Sequence, residues 1–195
     1  MKKIIFLTIL LSLSLTALQA QIRLGARAGL SSTGVSSDKL NDFLDDNTVG
    51  FYAGPTVEML LNESLRFSLS ALYSQKGIKF KGEETHRTNY IEVPLDVKYF
   101  IPLNNSVKVF GAAGPYINFR ISGNKSFEAI TDEIKGQWEA KSFGTGLNFN
   151  AGFEVNSLLQ LGTNYGLGLT DNYKASNGDF SGKERVWTFF ASVYF

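Results

Sequence analysis

The sequence predicts an all-β fold, an antiparallel up-and-down transmembrane β-barrel of eight strands. Three observations lead there. Segment after segment alternates apolar and polar residues at period two. Glycine, at 19 residues, and aromatics, at 13%, are both plentiful, which suits strands. Short connections alternate strictly with long polar ones. Residues 89–101, NYIEVPLDVKYFI, show the pattern most fully. One face carries Ile91, Val93, Leu95, Val97, Tyr99 and Ile101; the other carries Tyr90, Glu92, Pro94, Asp96, Lys98 and Phe100. Too little apolar sequence is left over to cover so many apolar faces. They are expected to point outward to lipid, with the charges inside a closed wall.

Residues 1–20 are read first, as a cleaved signal peptide. Lys2 and Lys3 precede the apolar run 4–18, and Leu18-Gln19-Ala20 ends in a small residue before Gln21. That run is short for a membrane-crossing helix of about 20 residues. Residues 21–195 are then the single barrel domain. Removing Lys2 and Lys3 from the 19 basic residues leaves 17 against 18 acidic ones. So even a balance gives no general basic field, and no nucleic acid partner is expected. Cysteine is absent, which excludes a disulfide scaffold and thiol chemistry.

Strand one, 22–31, sets Ile22, Leu24, Ala26, Ala28 and Leu30 against Arg23 and Arg27. Strand two, 49–61, turns Val49, Phe51, Ala53, Val57, Met59 and Leu61 outward and Tyr52, Thr56 and Glu58 inward. Strand three, 65–80, opposes Leu65, Phe67, Leu69, Ala71 and Tyr73 to Arg66, Ser68, Ser70, Ser74 and Lys76. Strand four is 89–101. Strand five, 106–121, sets Val107, Val109, Ala113, Ile117, Phe119 and Ile121 against Lys108, Tyr116, Asn118 and Arg120. Strand six, 142–155, places Phe143, Leu147, Phe149, Ala151, Phe153 and Val155 opposite Asn148, Asn150 and Glu154. Strand seven, 158–170, shows Leu159, Leu161, Tyr165, Leu167 and Leu169 against Gln160, Asn164 and a run of glycines. Strand eight, 184–195, ends with Trp187, Phe189, Ala191, Val193 and Phe195 on one face.

The turns at 62–64, 102–105 and 156–157 are tight. The connections 32–48, 81–87, 122–141 and 171–183 are long and polar. A strand pair hidden in 122–141 would raise the count to ten. Pro55, Pro94 and Pro115 each remove a ladder donor, so a bulge or break in register is expected beside them.

Four segments carry a resemblance. They are Leu72-Tyr73-Ser74-Gln75-Lys76-Gly77, residues 89–100, Gly111-Ala112-Ala113-Gly114-Pro115-Tyr116, and Tyr165-Gly166-Leu167-Gly168-Leu169-Thr170. In this order they resemble motifs of the small outer-membrane β-barrel proteins of Bacteroidota, the family that includes the PorT-like proteins. The closing Tyr194-Phe195 is similar to the C-terminal aromatic that the outer-membrane assembly machinery reads. The resemblance implies an eight-stranded outer-membrane barrel and, for a PorT-like member, an accessory role in protein secretion. It implies no single activity.

Sites of chemistry are sparse. His86, the one histidine, lies beside Glu83 and Glu84 but has no cysteine partner for zinc and no evident link to Ser74 for a hydrolytic triad. Asp38, Asp42, Asp45 and Asp46 lack the alternating ligands and central glycine of a calcium loop. Glycines at 144–146 and 162–168 lack a phosphate-loop context and make room inside a narrow wall instead. No enzyme activity, metal or cofactor is expected. The informative set is the inward charge: Arg23, Arg27, Arg66, Lys98, Lys108 and Arg120 with Glu58, Glu92, Asp96 and Glu154. Eight strands leave an interior that side chains just fill, so these charges must pair or be hydrated. The expectation is a plug, with a narrow, slightly anion-preferring pore as its alternative. Phe51, Tyr73, Tyr165 and Trp187 at one end, and Tyr99 and Phe195 at the other, are expected to form aromatic belts.

The sequence thus points to an exported protein of the outer membrane. Its partners are lipid, the assembly machinery and an unidentified protein or surface ligand at the long loops. A soluble, lipocalin-like barrel with its apolar faces inward is the remaining alternative.

Overall fold

The computed structural model describes residues 22–36, 48–78, 86–123, 126–131, 134–175 and 181–195. The proposed signal peptide and the acidic cluster at Asp38–Asp46 lie outside the described residues. Among the described residues eleven strands make one antiparallel sheet. They are β1 (Ile22–Ser36), β2 (Thr48–Leu60), β3 (Leu65–Ser70), β4 (Leu72–Ile78), β5 (His86–Pro102) and β6 (Val107–Gly123). Then follow β7 (Ser126–Thr131), β8 (Ile134–Ala140), β9 (Phe143–Val155), β10 (Leu159–Ala175) and β11 (Ser181–Tyr194).

The sheet closes on itself. β1 pairs with both β2 and β11, and β10 pairs with both β9 and β11. β3 and β4 are two halves of one wall strand, since both lie between β2 and β5 in a single register. The ring therefore has eight strands. A strand pair does exist within 122–141, but it does not enlarge the ring to ten. β7 and β8 form a hairpin that meets the wall where β8 pairs with Tyr173–Ala175 at the far end of β10.

The break at Ala71 has a local cause. Ala71 donates its N–H to the Pro55 carbonyl at 3.0 Å, and proline has no N–H to return. On the other flank the register places Pro94 opposite Ser70, removing a second donor. Both prolines precede or follow the gap without shifting it. Val93 faces Ile117, Pro94 faces Tyr116 and Val97 faces Ala113, in one unbroken register. The expected bulge at Pro94 is absent; the irregularity in this pairing falls at Asn89/Tyr90 instead. The chain accommodates two of the prolines with a preceding glycine. A Cβ on Gly54 would lie 2.1 Å from the Ala71 carbonyl oxygen, and one on Gly114 would lie 1.8 Å from that of Leu95. A carbonyl that lost its proline-side donor leans onto a Cα that only glycine leaves bare.

Three turns gather at the end that also holds both ends of the ring. Asn62 Oδ1 accepts the N–H groups of Ser64 and Leu65, and Asn104 Oδ1 those of Ser106 and Val107, at 2.8–2.9 Å. Asn156 and Ser157 have φ of 51° and 56°, the left-handed pair a two-residue hairpin requires. Short turns of this kind face the periplasm in outer-membrane barrels. At the opposite end the strands run further than their amphipathic pattern. β1 continues to Ser36, β10 to Ala175, and β11 begins at Ser181.

Burial alternates along every wall strand, with the apolar side outward. Leu30, Val49, Phe153 and Phe189 are exposed on the outside, whereas Glu58, Lys98, Gln160 and Glu184 are fully buried inside. This inverts a soluble protein and excludes the lipocalin-like arrangement, because no apolar faces converge on the lumen. A small apolar cluster, Tyr52, Leu72, Phe100, Phe110 and Phe190, also lies in the interior.

Candidate functional site

The interior is built from every second residue of the wall, and two charged clusters occupy its two halves. The larger lies toward the short turns. Glu58 on β2 is its hub. Its Oε1 accepts Lys98 Nζ at 2.6 Å and Gln160 Nε2 at 3.0 Å. Its Oε2 accepts Arg23 Nη2 at 2.5 Å and Arg66 Nη1 at 3.3 Å. Glu154 on β9 is the second acceptor. Arg66 grips it with Nη1 at 2.6 Å and Nη2 at 2.9 Å, while Arg23 and Gln160 each donate at 2.9 Å. Lys98 also reaches Tyr194 Oη at 3.3 Å. These side chains come from β1, β2, β3, β5, β9, β10 and β11, so every wall strand but β6 contributes.

The cations are further held on aromatic faces. Arg66 lies 3.9 Å from the Phe100 ring centre, Arg23 4.7 Å from Tyr194, and Lys98 5.6 Å from Phe110. Each such contact contributes about 0.5–2 kcal/mol, more where water is excluded. Ions at this depth are costly to desolvate, and only saturated hydrogen bonding repays that cost.

The second cluster sits toward the long connections. Lys76 on β4 bonds Glu92 at 2.8 Å and Glu184 at 3.2 Å, and faces the rings of Tyr116 and Tyr90. A cavity of about 10 Å³ adjoins it, bordered by Ser31, Tyr52, Ser74, Asn148, Asn164 and Thr188 among others. That is about the least volume that holds one water. Ser31 Oγ, Tyr52 Oη and Asn164 Oδ1 have no protein partner there.

Between the clusters stand Arg27 and Asp96. Arg27 donates to Ser192 Oγ at 3.0 Å and stacks on Phe190 at 4.5 Å. Asp96 is buried and joins neither cluster.

The sequence-derived charges therefore divide. Arg23, Glu58, Arg66, Lys98 and Glu154 meet in one network; Glu92 belongs to the other. Lys108 and Arg120 share the inward faces of their ladder neighbours Glu154 and Tyr90 but, half-buried near strand ends, enter neither cluster. Arg120 instead meets Ser142 Oγ at 3.3 Å. Lys76 and Glu184 are essential members that the charge set omitted. Their even numbers put them in line with Arg66 and Thr188 on the inward faces, so parity alone could have found them. With them the inward faces carry, among the described residues, seven cations (Arg23, Arg27, Arg66, Lys76, Lys98, Lys108, Arg120) and five carboxylates (Glu58, Glu92, Asp96, Glu154, Glu184).

Phe51, Tyr99, Trp187 and Phe195 are exposed on the outer surface, and Tyr73 and Tyr165 lie half-buried beside Phe51 and Trp187. Ring centres are 5.8 Å apart in the Phe51–Tyr73 pair and 4.9 Å in the Tyr165–Trp187 pair. His86 opens β5 opposite Ile78. Among the described residues no His, Cys, Asp or Glu cluster suits a metal ion.

Residues 18–174 match the family model described as outer membrane protein beta-barrel domain. No curated protein matches the chain. Among solved structures it is similar to Ail, the attachment invasion locus protein of Yersinia pestis, in complex with the heparin analogue sucrose octasulfate. Identity is 18% and TM-score 0.51, over 90% of this chain and 99% of that one. Neisserial surface protein A is similar at 15% identity and TM-score 0.50, over 89% and 97%.

Proposed function

The chain belongs to the outer membrane protein beta-barrel domain family and is an integral barrel of that membrane, and from this premise we propose that its lumen is plugged. Its work is then structural or surface-binding, performed by the segments at the long-connection end, and it is not an enzyme. One observation carries the plug: the Glu58–Glu154 network joins opposite walls through Arg66 and Lys98, with no more than 3% of any of those four side chains exposed. An ion crossing there must break several charge-assisted bonds at once, each worth more than a neutral one.

The small polar cavity beside Lys76 favours a second reading, a narrow pore, because it offers hydratable surface above the plug. An accessory role in secretion like that of PorT-like proteins rests on the sequence motifs alone. The sulfated ligand belongs to Ail; at 18% identity the likeness carries the fold only.

Planar-bilayer recording separates the two readings. The folded protein is expected to give no steady conductance, and the double variant Arg66→Ala/Glu154→Ala to give frequent openings. Steady conductance in the unaltered protein would remove the plug and leave the pore.

A further inference from the structure

The short-turn end of the lumen holds a feature that the plug does not use. Below the Glu58–Glu154 network lies a cavity of about 460 Å³ whose lining includes Arg23, Arg66, Lys108, Glu63, Ser64 and Ser157. Its charges are unequal. Three cations face it, and the one carboxylate lining it, Glu63, stands on an exposed turn. The two carboxylates above are already committed, with each Glu58 oxygen taking two donors and Glu154 taking its own set from Arg66, Arg23 and Gln160. The network itself counts Arg23, Arg66 and Lys98 against Glu58 and Glu154, so it carries one uncompensated cation.

Donors remain unused as well. Arg66 is 2% exposed, yet its Nε–H has no acceptor, and neither does that of Arg23. Lys108 sits directly across from Glu154 in the ladder and still forms no ion pair with a described residue. Buried guanidinium N–H groups without acceptors are costly, and a cation pair beside them adds repulsion. Both costs fall when an oxyanion with several acceptor oxygens enters.

We propose that this mouth binds a phosphate group, held by Arg23, Arg66 and Lys108 with the serine hydroxyls at its rim. The two Nε–H groups and the Lys108 ammonium offer donors to more than one oxygen of such an anion, and the volume exceeds a bare phosphate, leaving room for what it is esterified to. The position, at the membrane edge, makes two sources available: free phosphate and a phospholipid headgroup. The site stands whether or not the lumen conducts.

The test uses the folded barrel in micelles of a phosphate-free maltoside detergent. Unfolding temperature is followed during titration with inorganic phosphate at constant ionic strength, and again with phosphatidylglycerol added to the micelles. Lys108→Gln breaks no ion pair and should fold; its apparent affinity is expected to fall about tenfold, one charge-assisted contact. Lys108→Glu should abolish the response, and Lys141→Gln, exposed at the other end, should retain it. Stabilisation by inorganic phosphate identifies the free anion. Stabilisation by phosphatidylglycerol alone, lost in Lys108→Glu, identifies the headgroup. No stabilisation in either arm, or an equal one in all variants, overturns the proposal.

Discussion

Glu58 ties together more of the interior than any other described side chain, accepting from Arg23, Arg66, Lys98 and Gln160. Removing it leaves three cations facing one remaining carboxylate in a dry site. Glu58→Ala is therefore expected to destabilise by about 3–5 kcal/mol, the cost of stranding a buried charge. Glu63→Ala, on the exposed turn nearby, should stay within about 0.5 kcal/mol. Urea unfolding followed by gel mobility measures both; equal effects would mean that the network is a bystander. Which residues face inward was legible from parity, and that is how Glu58, Arg66, Lys98 and Glu154 stood out. Who meets whom was not. Arg66 and Glu154 are 88 positions apart, and their height in the lumen depends on strand tilt and stagger, which alternation does not encode. Lys76, read as inward on strand three, and Glu184, at the start of strand eight, were left out of the charge set although parity puts both inside.

At the level of elements, pairing and patterning part company. Alternation marks only the stretch whose outer face meets lipid. Beyond the membrane both faces are wet, the pattern vanishes, and the backbone keeps pairing because its N–H and C=O groups still need partners. Thr33–Ser36 continue the ladder against Lys183–Val186 although the sequence there reads as loop. The tight turns were plain from their asparagines, whereas the role of Gly54 and Gly114 beside their prolines shows only once the facing carbonyls are placed. The β7–β8 hairpin is the extreme case of pairing without patterning. It touches the ring only through Tyr173–Ala175 among the described residues, and the ring closes without it. Replacing residues 124–141 by a short turn should therefore leave the unfolding stability within about 1 kcal/mol of the parent, since the ring's own pairings are untouched. A loss of the boiling-dependent gel shift would show instead that the hairpin helps the wall to close.

For the molecule as a whole, the decisive property is the inversion of inside and outside. An apolar belt of Leu, Val and Phe surrounds a lumen lined by cations and carboxylates. Their charge is divided unevenly along the axis. The short-turn cluster has one cation to spare, and the cluster of Lys76 with Glu92 and Glu184 has one carboxylate to spare. Placed bare in water, this barrel would present its exposed belt as a continuous aggregation surface. Trp187 gives direct access to this point. It stands 53% exposed on the outer wall, its ring tilted against that of Tyr165. With Trp138 replaced by Phe, Trp187 is the one remaining tryptophan of the chain. In vesicles its emission should be strongly quenched by lipids brominated on the acyl chain and weakly by aqueous acrylamide. Strong acrylamide quenching with no effect of bromine would put this face in water. The apolar wall would then need a protein partner rather than lipid to cover it.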